Sequence, residues 1–324
     1  MVRQNARETM KIIELGVKSV LRALTIFLAV TFIAFCLTYG NGMGIARGLL
    51  GISASQETVA EKVTELGLDQ PLLVQYTRWL SGLLTGDFGV SFFSSQPVTS
   101  ILATRIPVTM SVVLITIVLL VILSALIGIA AAVFGGGVDR LLQFLATAGA
   151  AIPSFISAVV LISVFAVSLG LFPPTGYVPP QQSLVGWASS LVLPVTAILI
   201  GDVGIAAAQF RSAVKNVLEQ DFVRTLRARG MSERAVVFRH VLRNAAGPGL
   251  TILSLQVIGL LGGVVIIEQL FALPGIAVET NNAAQKGDIP VVMGAVAYIV
   301  IVVVIVNLAA DILNVALNPK ARKA

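Results

Sequence analysis

The chain has 324 residues, of which 56% are hydrophobic and only 12% charged, with a mean hydropathy of +0.94. Soluble domains carry about 25% charged residues, so half that fraction, gathered between long uncharged runs, excludes an ordinary soluble protein and predicts an all-α integral membrane protein. The net charge of +6 and pI near 9.8 do not indicate nucleic-acid binding, because the basic residues fall in a few segments between apolar spans and no nucleic-acid motif accompanies them.

Residues 1–20 carry Arg3, Arg7, Lys11 and Lys18 around an apolar stripe of Ile12, Ile13 and Val17, the pattern of a short amphipathic surface helix. The apolar run 21–39 is longer than a signal-peptide core and no small-x-small site follows promptly; it reads as an uncleaved first span, long enough for roughly 30 Å of hydrocarbon. Cys36 lies inside it, and a single cysteine excludes an intrachain disulfide or a thiolate cluster. Residues 40–107 form the longest polar stretch, with nearly balanced charge. Within it Leu72, Leu73, Tyr76, Leu80 and Leu83 share a helical face beside Trp79, the pattern of a helix packed on its own domain or lying at the interface.

The second span is expected over 110–134, followed by a short turn through Gly135, Gly136, Gly137, Asp139 and Arg140. The third, 141–171, contains Pro153, which removes a backbone hydrogen bond and kinks a helix. The proline-rich stretch 172–183 reads as a loop. The fourth span, 184–210, holds Asp202, and an acid at mid-span costs about 2.5–3.5 kcal/mol. Asp202 must therefore face protein or water, either as partner to a neighbouring polar group or as a contact for a cationic group of a substrate. Residues 219–248 form a basic island: eight Lys or Arg lie between Arg211 and Arg243. Phe222, Val223, Leu226, Val236, Val237, Val241 and Leu242 recur at helical spacing and predict an amphipathic helix pair. Gly230 suits the end of its first helix and Ser232 the cap of the second, with Glu233 near its positive end. Such a pair serves as a docking element for a partner, as a membrane-surface helix or as a topology signal. The lone histidine, His240, lies here and supports no His-rich metal site.

A fifth span over 250–267 ends at Glu268, and a sixth over 291–317 carries Asn307 and Asp311, four apart and so on one face. They can satisfy each other or a partner subunit. With six spans the basic segments fall on one side, and the positive-inside rule puts both termini in the cytoplasm. No G-x-x-x-x-G-K-[ST] string occurs, so this chain has no phosphate-binding loop of its own.

Several segments carry a family likeness. These are Leu66-Gly67-Leu68-Asp69-Gln70-Pro71, Gly86-Asp87-Phe88-Gly89-Val90-Ser91, Arg105-Ile106-Pro107-Val108-Thr109 and Ile152-Pro153-Ser154. To them are added Arg224-Thr225-Leu226-Arg227-Ala228-Arg229-Gly230, Arg239-His240-Val241-Leu242-Arg243-Asn244-Ala245 and the run from Glu268 through Phe271 to Pro274-Gly275-Ile276. Together they resemble the dipeptide/oligopeptide/nickel branch of bacterial ABC-importer permeases, with Leu226 in place of the usual alanine and Asn318 in place of an aspartate. The resemblance implies a type I ABC importer transmembrane fold. It divides the chain into an N-terminal helix (1–20), a first span (21–39), an extracytoplasmic segment (40–107), a permease core (108–320) with a cytoplasmic coupling loop (211–248), and a tail (321–324).

In that family the loop docks in a cleft of an ATPase subunit. The implied coupling residues are Asp221, Arg224, Thr225, Ala228, Gly230, Ser232, Glu233, Arg239, Arg243 and Asn244, while Glu268, Phe271, Pro274 and Gly275 belong to an outer gate or a subunit interface. The implied partners are a second, homologous permease, two ATPase subunits that bind ATP and Mg²⁺, an extracytoplasmic substrate-binding protein and the bilayer of a bacterial inner membrane. This chain itself is expected to hold no cofactor or metal and to catalyse no bond chemistry. Peptides are the implied cargo, with nickel chelates, glutathione-like peptides or oligosaccharides as alternatives. The competing reading is an ion-coupled carrier or channel that relays through Asp202, Glu268 and Asp311.

Overall fold

The structure is a computed structural model that describes residues 21–39 and 42–317, and only the backbone at 246–255, 257 and 310–317. The helix expected over 1–20, the tail beyond 317 and the side chain of Asp311 lie outside the described residues. Thirteen helices account for nearly all of the described chain: α1 (Leu21–Thr38), α2 (Gly42–Leu50), α3 (Gln56–Glu65), α4 (Leu72–Leu84), α5 (Val98–Phe134), α6 (Gly136–Ala150), α7 (Ser154–Leu161), α8 (Leu184–Leu218), α9 (Asp221–Ala228), α10 (Glu233–Ala235), α11 (Leu242–Leu270), α12 (Ile276–Lys286) and α13 (Ile289–Leu317). Two π-helical segments, Ile162–Ser168 and Val236–Val241, continue α7 and join α10 to α11. Among the described residues the only strand-like pairing is one bridge between Val90 and Pro97.

Among the described residues four helices are long and apolar enough to cross a membrane, namely α1, α5, α8 and the Ile289–Ala309 part of α13. The pair Gly136–Ala150 and Ser154–Ser168 passes the same test together but is bent by 90° at its break, the geometry of a broken span or a re-entrant loop. The expected kink at Pro153 is therefore a right-angled corner. Proline cannot donate to the preceding turn, and Pro153 takes an extended conformation (ψ 140) before α7 resumes. Helix α11 spans 29 residues, with a described apolar stretch over Ile258–Leu270.

Two boundaries differ from expectation. Helix α5 begins at Val98 rather than near residue 110 and carries Pro107 inside it. Its 37 residues rise about 55 Å, well beyond the hydrocarbon thickness. The glycine turn shrinks to Gly135 and Gly136, both at positive φ, so Asp139 sits in the first turn of α6 rather than in a loop.

The chain divides into two compact units, residues Met1–Ile106 with Ile276–Ile305, and residues Pro107–Gly275 with Val306–Ala324. In the first, Val98, Ile101 and Leu102 pack with Ile276, Ala283 and Val292 in one core. A second core gathers Phe35, Ile45, Tyr76, Ile289 and Met293. Tyr76 carries α4 into that core: its hydroxyl lies 2.9 Å from Thr31 Oγ1 and its ring meets Phe32 and Phe35 edge-on at 5.2 and 5.6 Å. The helix is thus packed on its own unit, though Leu73, expected on the buried face, is 63% exposed. The carboxylate of Asp288 accepts from Ser91 Oγ at 2.5 Å and from the Phe92 amide at 3.1 Å, which closes the loop before α5 onto the loop before α13.

In the second unit α8 is the central post, contacting α6, α7 and α11. It approaches α6 closely through glycine: a Cβ on Gly204 would collide with the Ala146 backbone, and one on Gly149 would lie 2.6 Å from the Ile200 carbonyl. Small residues at such crossings let dispersion contacts form without a hydrophobic driving force between helices.

Candidate docking site and membrane-embedded polar residues

The basic island folds as expected at its first helix and turn, and differently at its second. Helix α9 ends at Gly230, whose φ of 77° is the left-handed conformation a side chain disfavours. The Met231 amide then donates to the Leu226 carbonyl at 3.3 Å. Ser232 caps α10, accepting from the Ala235 amide at 3.4 Å. The second helix does not end as a separate element. It widens into the π segment and runs on as α11, so the hairpin and the 29-residue helix α11 are continuous.

Beneath the hairpin, Val223, Val236 and Val241 bury themselves against Ala213, Val214 and Val217 of α8 and Ala132 of α5. Each buried aliphatic side chain of this kind stabilises by about 1.5–3 kcal/mol, so the hairpin is fixed to the unit rather than draped on it. Above, Asp221, Arg224, Thr225, Ala228, Gly230, Ser232, Glu233, Arg239, Arg243 and Asn244 are all exposed, and the structure brings these ten onto one hairpin. Arg227 pairs with Glu233 across the turn, and its guanidinium holds that carboxyl below the usual carboxylate range. Phe238, which the sequence reading passed over, stands 69% exposed beside Arg239.

The root of the hairpin is tied by charge. Arg211, near the end of α8, forks both its Nε and Nη2 onto Asp139 of α6, while Lys215 Nζ and Gln143 Nε2 reach the same carboxylate at 3.0 and 3.1 Å. Asp139 is only 7% exposed. A bidentate guanidinium–carboxylate pair fixes orientation as well as distance, so α6 and the helix leading into the hairpin must move together.

The remaining predicted residues separate. Glu268 is fully buried and accepts from Thr109 Oγ1. The chain turns directly over it: the Leu273 amide donates to the Glu268 carbonyl at 2.8 Å, Phe271 is 1% exposed, and a Cβ on Gly275 would overlap the Glu268 carboxylate. Pro274 stands exposed at the tip of this turn. The structure thus brings Glu268, Phe271 and Gly275 into one tight turn. Asp202 lies elsewhere, lining a cavity with Ser154 and Gln256. Asn307 is half-buried on α13, and the Asp311 side chain is outside the described residues.

Comparison with known proteins decides the family. Residues 124–323 match the model for the binding-protein-dependent transport system inner membrane component, and residues 12–113 match that for the N-terminal part of such membrane components. The chain belongs to this permease family. A putative peptide transport system permease of Brucella abortus is 37% identical over 94% of this chain and 98% of its own length. The oligopeptide transport permease AppB of Bacillus subtilis is 31% identical over 94% of this chain and 98% of its own. The glutathione transport permease GsiC of Salmonella typhimurium is 34% identical over 86% and 88%. Among solved structures, the methionine ABC transporter MetNI in an inward-facing conformation aligns with a TM-score of 0.53 at 16% identity, covering 68% of this chain and 97% of that chain. At that identity the likeness shows the fold, which is that of an ABC importer permease.

The chain is accordingly a multi-pass membrane permease, the transport subunit of a binding-protein-dependent ABC importer and not an enzyme. An importer of this kind implies ATPase and binding-protein partners. Family membership also places the permease among ATP-driven importers rather than ion-coupled carriers.

Proposed function

We propose that the permease is one of two homologous membrane-spanning subunits of a type I importer in a bacterial inner membrane, working with two ATPase subunits and an extracytoplasmic binding protein, and that its cargo is peptides. The peptide cargo is supported by relatives whose names specify peptides, oligopeptides and glutathione. In this reading the bent pair and α11 are the remaining spans, giving six, both termini are cytoplasmic, and residues 40–107 lie outside. The basic hairpin faces the cytoplasm by the positive-inside rule and docks an ATPase subunit, which holds the ATP and Mg²⁺.

The observation that carries this reading is the construction of the hairpin: an apolar underside fixed to α8 and α5, and an arginine-bearing outer face left exposed. Closure of two ATPase subunits moves such a handle as a rigid body. Because α11 grows out of it and Asp139 ties α6 to its root, that motion tilts membrane helices and exchanges inward for outward access. Glu268 and the turn over it then belong at the far end of the pathway or at the permease–permease interface.

The test is a proline scan of 230–237 in the assembled importer. Stimulation of ATP hydrolysis by binding protein and solute should vanish while the subunit still inserts and assembles. Normal stimulation in those variants removes the hairpin from the coupling role.

A further inference from the structure

Asp202 lies within the α8 span, and its carboxylate lines a cavity of about 280 Å³ together with Ser154, at the corner that opens α7, and Gln256 of α11. Of the two readings the sequence left open, a neighbouring polar partner is not observed: among the described residues nothing forms a hydrogen bond or ion pair with this carboxylate. Its contrast with Asp139 is complete in that respect.

Gly259 and Gly263 of α11 line the same cavity, and a Cβ at either position would meet nothing within 4 Å. Glycine inside a helix is destabilising relative to alanine, and here no neighbour in the chain calls for it. The space is kept open for an occupant from outside the chain. Each of the three polar residues offers that occupant an acceptor, namely the Asp202 carboxylate, the Ser154 hydroxyl oxygen and the Gln256 amide carbonyl, while the hydroxyl and the amide nitrogen can also donate. A primary ammonium carries three N–H donors and no acceptor, so it matches this set, and an acid at membrane depth calls for a cationic partner or water.

We propose that this cavity is a subsite for the primary ammonium group of the solute as it crosses the membrane. The proposal rests on the reading of the permease as a peptide importer, and it assigns to the permease a contact with the free amino terminus of the cargo.

The test uses the assembled importer and two probes, trialanine and its N-acetylated form. Dicyclohexylcarbodiimide modifies membrane-embedded carboxyl groups, and its attachment at Asp202 is read by mass spectrometry. Trialanine should slow that labelling at least tenfold and the acetylated peptide should not. Equal effects, or no protection, overturn the proposal. Labelling that occurs only in the isolated subunit also overturns it, because the occupant is then a side chain of the second permease.

In proteoliposomes Asp202→Asn and Gly259→Leu should each lower trialanine uptake at least tenfold with normal recovery of the assembled complex, and Asp202→Glu should restore part of it. Uptake unchanged in Asp202→Asn sinks the subsite. Uptake by the native importer that continues without ATP hydrolysis sinks instead the importer reading, and protection at Asp202, measured without turnover, separates the two failures.

Discussion

Asp139 and Asp202 both lie against α8, yet the chain treats them in opposite ways. Asp139 is met by a forked guanidinium, an ammonium and an amide. Asp202, on the same helix post, has only a cavity lined by a serine, a glutamine, two glycines and four aliphatic side chains. A buried charge is tolerated when its partners are in place. One left open at membrane depth makes sense when its partner arrives and departs. The difference separates a carboxylate that holds helices together from one available to a passing solute.

The largest effect that would sharpen this contrast comes from removing the paired acid. Asp139→Ala leaves Arg211 and Lys215 facing each other without compensation, and removing one partner of a charge pair is destabilising because the other is left unpaired. The purified complex should show a clearly lowered unfolding temperature, and combining Asp139→Leu with Arg211→Met should recover much of it. A single variant with unchanged stability would mean that the cluster is ornamental and that α6 is not tied to the hairpin root.

Next in size is the third acid, Glu268, which is covered by its own turn and accepts from Thr109 Oγ1. Gly275→Ala drives a methyl into its carboxylate, and overpacking of this kind costs about 1–3 kcal/mol. Thermal unfolding should register that loss. Gly275→Ala with native stability would show that the turn over Glu268 has room to relax.

Asp202→Asn should do the reverse. Neutralising a carboxylate that lacks a partner removes a desolvation penalty, so stability should stay level or rise by about 1 kcal/mol or less while uptake falls. A stability loss comparable to that of Asp139→Ala would show that Asp202 has a structural partner, and the contrast would dissolve.

Some of this was legible in the sequence because its causes are local. Gly230 and Ser232 announce a helix end and a cap by their own backbone and side-chain chemistry, and both stand where expected. Pro153 breaks a helix wherever it falls, and the apolar runs of α1, α5, α8 and α13 need only composition. What stayed hidden depends on tertiary packing. Asp139 and Arg211 are 72 residues apart, and only the crossing of α6 on α8 makes them neighbours. Pro107 reads as a helix start, yet α5 runs through it from Val98. The π segment itself is not encoded by hydrophobic spacing, although the inward-facing Val236, Val237 and Val241 are. Leu73 fits the apolar stripe of α4 by spacing but falls outside the cluster around Tyr76.

The smallest effect tests the other end of the scale, an ion pair in water. Arg227 and Glu233 staple the hairpin turn with side chains 43% and 54% exposed, so solvent screening limits their coupling to about 0.2–1 kcal/mol in a double-mutant cycle. The guanidinium lowers the Glu233 carboxyl below its ordinary value. Because the folded state binds that proton less readily than the unfolded chain, the contribution is fully present above the unfolded value, about 4.3, and fades as pH falls through the lower folded one. High salt should weaken it at neutral pH, whereas the Asp139 cluster, being buried, should keep its effect in the same buffer. If salt erased both equally, Asp139 would be a surface pair as well, and the helices it joins would have to be held by packing alone.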